Sequence, residues 1–187
     1  VIADTRAAGT KGLSSVIIDS YEAGMQNWTP GFPDEFRRRV GYQLTPYLPA
    51  LFGYFVGNAG LSERFLFDFR RVQADLMAEN YYGRMHRLVN ERGLRFYVEG
   101  YGAGVFDELK VSGSPDVPVT EFWTRTPWTP NRAVKLVTSA AHIYGKPVVG
   151  FEIMRAWGAS ALGVADDVRI AVEKLQAANP NVKFTEV

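Results

Sequence analysis

Short apolar runs and longer helical patterns alternate along the chain, and four of the runs share one design. In each, β-prone residues lead to a carboxylate, after which a loop and a helix follow. The first is Ser15-Val16-Ile17-Ile18-Asp19-Ser20-Tyr21-Glu22, whose consecutive apolar residues suit a strand covered on both faces. The others are Leu94 to Glu99, Val117 to Trp123, and Pro147 to Glu152. Pro118 weakens the third, because proline gives no hydrogen to a ladder.

Between these runs the apolar spacing changes to steps of three and four, as an amphipathic helix requires. Ser62 is the expected N-cap of a helix running to Gly93, with Phe65, Phe67 and Phe69 among its packing residues. Thr129-Pro130 opens a second helix, which Gly145 and Pro147 stop. A third is expected from Ala165 to Ala178, followed by a terminal strand from Val182 to Thr185. Strands alternating with helices imply right-handed crossovers and a parallel sheet, either open or part of a barrel.

Length then narrows the picture. A complete eight-stranded barrel takes roughly 250 residues, whereas this chain has 187. The expected fold class is therefore α/β, a partial (β/α)8, TIM-type barrel with parallel strands, and residues 1–187 read as a single fragment of it. No composition shift or linker divides the chain. The segment from Asn27 to Leu61 departs from the repeat, being rich in Gly, Pro and aromatics, and reads as an enlarged βα loop with a short helix from Pro33 to Arg39. Loops after the strands form the ligand face of such architectures, so these rings either wall a pocket or pack the loop down.

Charge excludes more than it suggests. With 21 basic and 20 acidic residues the net charge is +1, too weak a field to argue for nucleic acid or a membrane surface. Arg37 to Arg39 read as a solvated helix face. The absence of cysteine removes disulfides, thiolate metal sites and cysteine nucleophiles. His86 and His142 both fall in expected helices, which argues against a two-histidine metal site or a Ser-His-Asp triad. Gly100-Tyr101-Gly102-Ala103-Gly104 lacks the lysine and spacing of a phosphate loop and reads as a flexible loop.

What remains is carboxylate chemistry. Hydrolysis of a glycoside needs one protonated carboxyl to assist the leaving oxygen and one ionised carboxylate to activate water or attack carbon. Glutamates at strand ends rise from a rigid scaffold toward a common mouth, although any single one can equally be a solvated or salt-bridged carboxylate. Tyr21, Trp28, Tyr101, Trp123 and Trp128 lie near these ends and fit the stacking of pyranose faces, with Trp123 favoured.

Asp19-Ser20-Tyr21-Glu22-Ala23-Gly24, followed by Gln26 to Phe32, resembles a stretch of the bacterial α-L-rhamnosidases of glycoside hydrolase family 106. Glu35 to Tyr42, Tyr47 to Leu51, Ser62 to Arg71, Glu79-Asn80-Tyr81-Tyr82 and Ala140 to Pro147 look like the same family in the same order. The resemblance runs from about Gly12 to Glu152 and fades beyond. It implies an inverting exo-enzyme that removes terminal L-rhamnose from complex glycans, using paired glutamates and a calcium ion near the sugar. A periplasmic or secreted location follows from the same likeness. Carried over by residue, Glu22 is the general acid, Glu121 and Glu152 are the alternatives for the base, and Glu99 is a supporting residue that binds sugar or metal, or orients another carboxylate. Asp19, Tyr21, Trp28, Tyr101 and Trp123 complete the expected substrate contacts. Two rivals stand beside this reading: an inactive fragment or sugar-binding remnant, and a different barrel glycosidase of β-galactosidase type.

Overall fold

The computed structural model describes residues 12–25, 27–121, 131–153, 158 and 160–185, with only the backbone of Asn131 and Glu152. Contacts divide the chain into two compact units, Val1–Glu152 and Ile153–Val187. The first holds a four-stranded parallel sheet in chain order, β1 (Ser15–Ile18), β2 (Arg95–Glu99), β3 (Val117–Glu121) and β4 (Gly150–Glu152). Every carboxylate-ended run thus supplies a strand, and parallel strands alternate with helices as a partial barrel requires. Pro118 is accommodated because β3 pairs with β4 only from Val119 onward.

Side chains alternate across this sheet. Phe96 and Val98, with Val16 and Ile18 beside them, pack under helical residues that include Ala78, Tyr82, Val89 and Val111. The opposite face carries Tyr97, Val117 and Val119, and there Ile17 of the edge strand is exposed. The registers Ile17↔Tyr97↔Val117 and Glu99↔Val119↔Gly150 align this second face across all four strands. Glu99 and Glu121, two steps beyond Tyr97 and Val119, fall on the same face. The sheet therefore has a helix-covered face and a face that ends in acids.

The aromatic insertion folds as a small core of its own. Helix α1 (Phe32–Val40) and a 3₁₀ turn (Thr45–Phe52) clasp helix α2 (Ala59–Leu76) through Phe32, Phe36, Leu44, Ala50, Phe65, Phe69 and Val72. Tyr42 and Tyr47 pack against this cluster, so these rings hold the loop down, whereas Phe52, Tyr54 and Phe55 stay exposed. Phe67 does not join the core as expected: it is 65% exposed, since its neighbours Phe65 and Phe69 occupy the buried stripe. Arg38 and Arg39 are not merely solvated either. Both bond Glu35, and Arg39 also makes a two-pronged pair with Glu79, at 3.0 and 2.6 Å.

Helix α2 is capped by Asn58, whose side chain accepts from the Leu61 N–H, and not by Ser62. Ser62 is buried inside the first turn, where its hydroxyl accepts from the Val56 N–H. The helix does not run unbroken to Gly93. A wider π-helical turn, Met77–Tyr82, joins α2 to α3 (Gly83–Asn90). A short helix α4 (Glu108–Ser112), capped by Asp107, and α5 (Asn131–Ile143) complete the first unit.

The second unit is helix α6 (Ala161–Ala178), capped by Ser160 and starting four residues before the expected position. The terminal segment is not a strand. Gln176 straps it to the helix, donating to the Val182 carbonyl and accepting from the Phe184 N–H, which uses the backbone groups a sheet would need. No described helix is long and apolar enough to cross a membrane.

Candidate active site

The C-terminal ends of the four strands gather the acids. Asp19 follows β1, Glu99 ends β2, Glu121 ends β3 and Glu152 ends β4, with Glu152 opposite Glu121 in the register. One carboxylate oxygen from each of Asp19, Glu99 and Glu121 lies within 4.8 Å of the others. Glu99 is the extreme member: it has no exposed surface, and among the described residues neither oxygen makes a close hydrogen bond, the Tyr101 hydroxyl and the Asp19 carboxyl being its polar neighbours. Burial, then the acidic neighbours Asp19 and Glu121, push its pKa up to about 8, against an opposing contribution from the nearby Tyr101 hydroxyl. Exposed Asp19 and half-buried Glu121 flank it.

Tyr101 ties two of the strand ends together. Its hydroxyl accepts from the Glu121 N–H at 3.1 Å, while its carbonyl accepts from the Tyr21 N–H at 2.9 Å. The Tyr21 carbonyl in turn accepts from the Ala103 N–H at 2.7 Å, forming an isolated parallel bridge to Gly102. The glycine-rich run is therefore packed, contrary to the flexible loop expected. At Gly102, where φ is +133°, a Cβ would lie 2.2 Å from the Tyr21 carbonyl oxygen; at Gly100 it would meet Ser112 at 2.3 Å. Close approach of two backbones explains the glycines.

The remaining expected residues fall into three groups. Glu22 is exposed just beyond the bridge, accepting from the Ser20 hydroxyl at 3.1 Å, and it is not among the three carboxylates that converge. The Tyr21 ring meets Tyr81 and Phe106 edge-on, at 6.2 and 5.8 Å. Trp28 is 51% exposed and leans on Phe32. It borders an apolar hollow of about 320 Å³ with Leu48, Leu51, Phe52 and Phe69. Trp123 and Trp128 lie outside the described residues. The sequence pattern does not single out the rings that hold Tyr21, because Tyr81 sits in ordinary helical spacing and Phe106 in a loop.

A larger concavity, about 530 Å³, opens at the other end of the sheet beside Leu94, Asp116 and Pro147. Size does not make it the reactive site. Its carboxylate, Asp116, is saturated by Asn90, the Phe96 N–H and His86 at 2.8 to 2.9 Å, whereas Glu99 makes no such close bond among the described residues. In parallel β/α architectures chemistry collects at the C-terminal ends of the strands and stability at the other end.

Such a mouth can hold a cation, keep a proton or activate water, and sequence comparison decides the class. Residues 2–174 match the family model of alpha-L-rhamnosidase, glycoside hydrolase family 106. The chain belongs to this family of glycoside hydrolases. The match continues past Glu152, where the resemblance read from the sequence motifs fades. A rhamnosidase structure from Novosphingobium sp. PP1Y is similar over 76% of this chain, with a TM-score of 0.68 and 35% identity. A protein of Formosa agariphila is 45% identical over 140 residues, 75% of this chain, and its name carries a provisional beta-glucuronidase assignment. The chain spans only 14% of the solved rhamnosidase and 12% of the Formosa protein.

Proposed function

We propose that this chain supplies the carboxylate end of an exo-acting α-L-rhamnosidase that releases terminal L-rhamnose from complex glycans with inversion of configuration. The observation that carries the reading is the convergence of Asp19, Glu99 and Glu121 within 4.8 Å, in a chain of this family.

Three acids this close repel one another unless a proton or a cation lies between them. Glu99 offers two buried oxygens that make no close hydrogen bond among the described residues, and all the donors are hard carboxylate oxygens, so the set fits calcium, which takes about six to eight oxygens. Asp19, Glu99 and Glu121 are the residues that would hold it. Bound there, calcium would supply positive charge and coordination positions for sugar hydroxyls.

The acid and base then separate by position. Glu22, outside the cluster, donates its proton to the glycosidic oxygen as the bond to the anomeric carbon breaks. Water attacks that carbon from the opposite face and passes a proton to the base. Assigning Glu121 to the cation leaves Glu152, on the neighbouring strand, as the base. Between the two glutamates left open by the sequence, this arrangement favours Glu152.

The test is hydrolysis of an aryl α-L-rhamnoside by the intact protein, with the anomer of the released sugar followed by NMR. Release of the inverted anomer, abolished by Glu152→Gln, is the expected result; retention of configuration would sink the assignment. A β-glucuronide is the second reading, favoured by the name of the Formosa relative. It would bring a further carboxylate to an acidic mouth, so an aryl β-glucuronide assayed in parallel should be turned over poorly.

A further inference from the structure

Glu79-Asn80-Tyr81-Tyr82 has no part in the reaction above, yet it lies where the long helix changes its winding. At the end of this turn the Gly83 N–H donates to the Ala78 carbonyl, five residues back, the bond of a π-helical turn. A Cβ at Gly83 would stand 3.0 Å from that carbonyl oxygen, so the wider winding leaves little room for a side chain. Such turns are rare and often sit at functional sites.

This turn connects three parts of the molecule. Glu79 binds Arg39 of the aromatic insertion, and Tyr82 is fully buried in the core under the sheet. Between them Tyr81 is 38% exposed, 4.8 Å from the Tyr82 ring and edge-on to Tyr21. Backbone bonds to Tyr101 and from Ala103 hold one side of Tyr21, and its ring, held by Tyr81 and Phe106, is the second anchor of the segment that carries Glu22. Glu22 is the next residue.

We infer that Tyr81, presented by the π-helical turn, is a positioning residue that sets the direction of Glu22 through Tyr21. The inference rests on the reading of Glu22 as general acid. Its test exploits the fact that a good leaving group needs little acid assistance, whereas a poor one depends on it.

The intact protein is assayed on dinitrophenyl and phenyl α-L-rhamnosides. Tyr81→Leu should lower kcat about tenfold on the phenyl substrate and less than about twofold on the dinitrophenyl one, with KM nearly unchanged. Tyr81→Phe, which keeps the ring edge, should restore both. Equal losses on the two substrates would mean a merely structural role and overturn the inference. Should Tyr81→Leu fail to fold, Tyr81→Gln takes its place: a loss confined to the phenyl substrate supports the inference, and equal losses overturn it. Glu22→Gln is run alongside: if it shows no leaving-group dependence, the acid assignment falls and this inference with it. If Glu22→Gln shows that dependence and the Tyr81 variants do not, only the inference falls.

Discussion

Glu99 and Asp116 are acids at opposite ends of one parallel sheet, and they live under opposite conditions. Asp116 precedes β3, where burial pushes its pKa up but bonds from Asn90, the Phe96 N–H and His86 prevail and hold it below its usual range. Glu99 ends the neighbouring strand, is fully buried, makes no close hydrogen bond among the described residues and is held up to about 8. The same few residues of sheet thus separate an acid that stores stability from one that gives it up. What differs is the supply of donors: loop and helix groups meet the lower end, while among the described residues other acids and a tyrosine meet Glu99 at the upper.

The comparison breaks most clearly by neutralising the upper acid. Glu99→Gln in the intact protein should abolish most turnover, by about a thousandfold, measured as steady-state kcat/KM. Its folding stability should move the other way. Because the folded pKa lies above the ordinary value near 4.5, the native state holds the proton more tightly, and stability falls as pH rises from about 4.5 to about 8. In chelator, Glu99→Gln should therefore melt higher than the parent at pH 8 and equally at pH 4. A lower melting point at pH 8 would show that Glu99 is satisfied by something else.

The lower acid should respond in reverse. Asp116→Ala leaves the buried Phe96 N–H without its acceptor and takes one of two acceptors from the Asn90 amide, which keeps the Leu94 carbonyl, and should cost about 1–3 kcal/mol in denaturant unfolding. Calcium sharpens the contrast. Added at pH 8 it should raise the melting temperature of the parent and release protons, whereas Asp116→Ala should keep that response and Glu99→Gln should lose it.

The smallest expected effect lies in the aromatic insertion. Hydrogen bonds from Arg38 and Arg39 lower the Glu35 pKa to about 2, so its contribution is present above pH 4.5 and lost as pH falls toward 2. Partial exposure keeps it small. Glu35→Gln should flatten the acid limb of the stability profile slightly and leave the region above pH 5 unchanged.

Much of this architecture is legible in the sequence alone. The apolar runs ending in Asp19, Glu99, Glu121 and Glu152 can be read because a short β-prone run closed by a carboxylate is a local signal. Helix ends are less so. Ser62 follows the rule for a cap, but Asn58 wins because the turn begins one step after Val56 and Gly57, a choice made by packing. The π-helical turn stays hidden, since apolar steps of three and four continue across it. Asp116 lies in an ordinary turn, and its partners Asn90 and His86 come from 26 and 30 residues away. The Val182 to Thr185 segment has β propensity, but Gln176 takes its hydrogen bonds.

The bridge between Tyr21 and Gly102 has a consequence for how such a mouth can be altered. Two loops, one carrying Asp19 to Glu22 and the other Glu99 to Tyr101, share a backbone seam that admits no side chain at residue 102. They must shift as one body or not at all. Slack for reshaping the mouth therefore lies downstream, where Met25 and Trp28 are exposed and the chain has left the seam. Insertions there would lengthen a rim, whereas a single added residue at the seam would misalign Asp19, Glu22 and Glu99 at once.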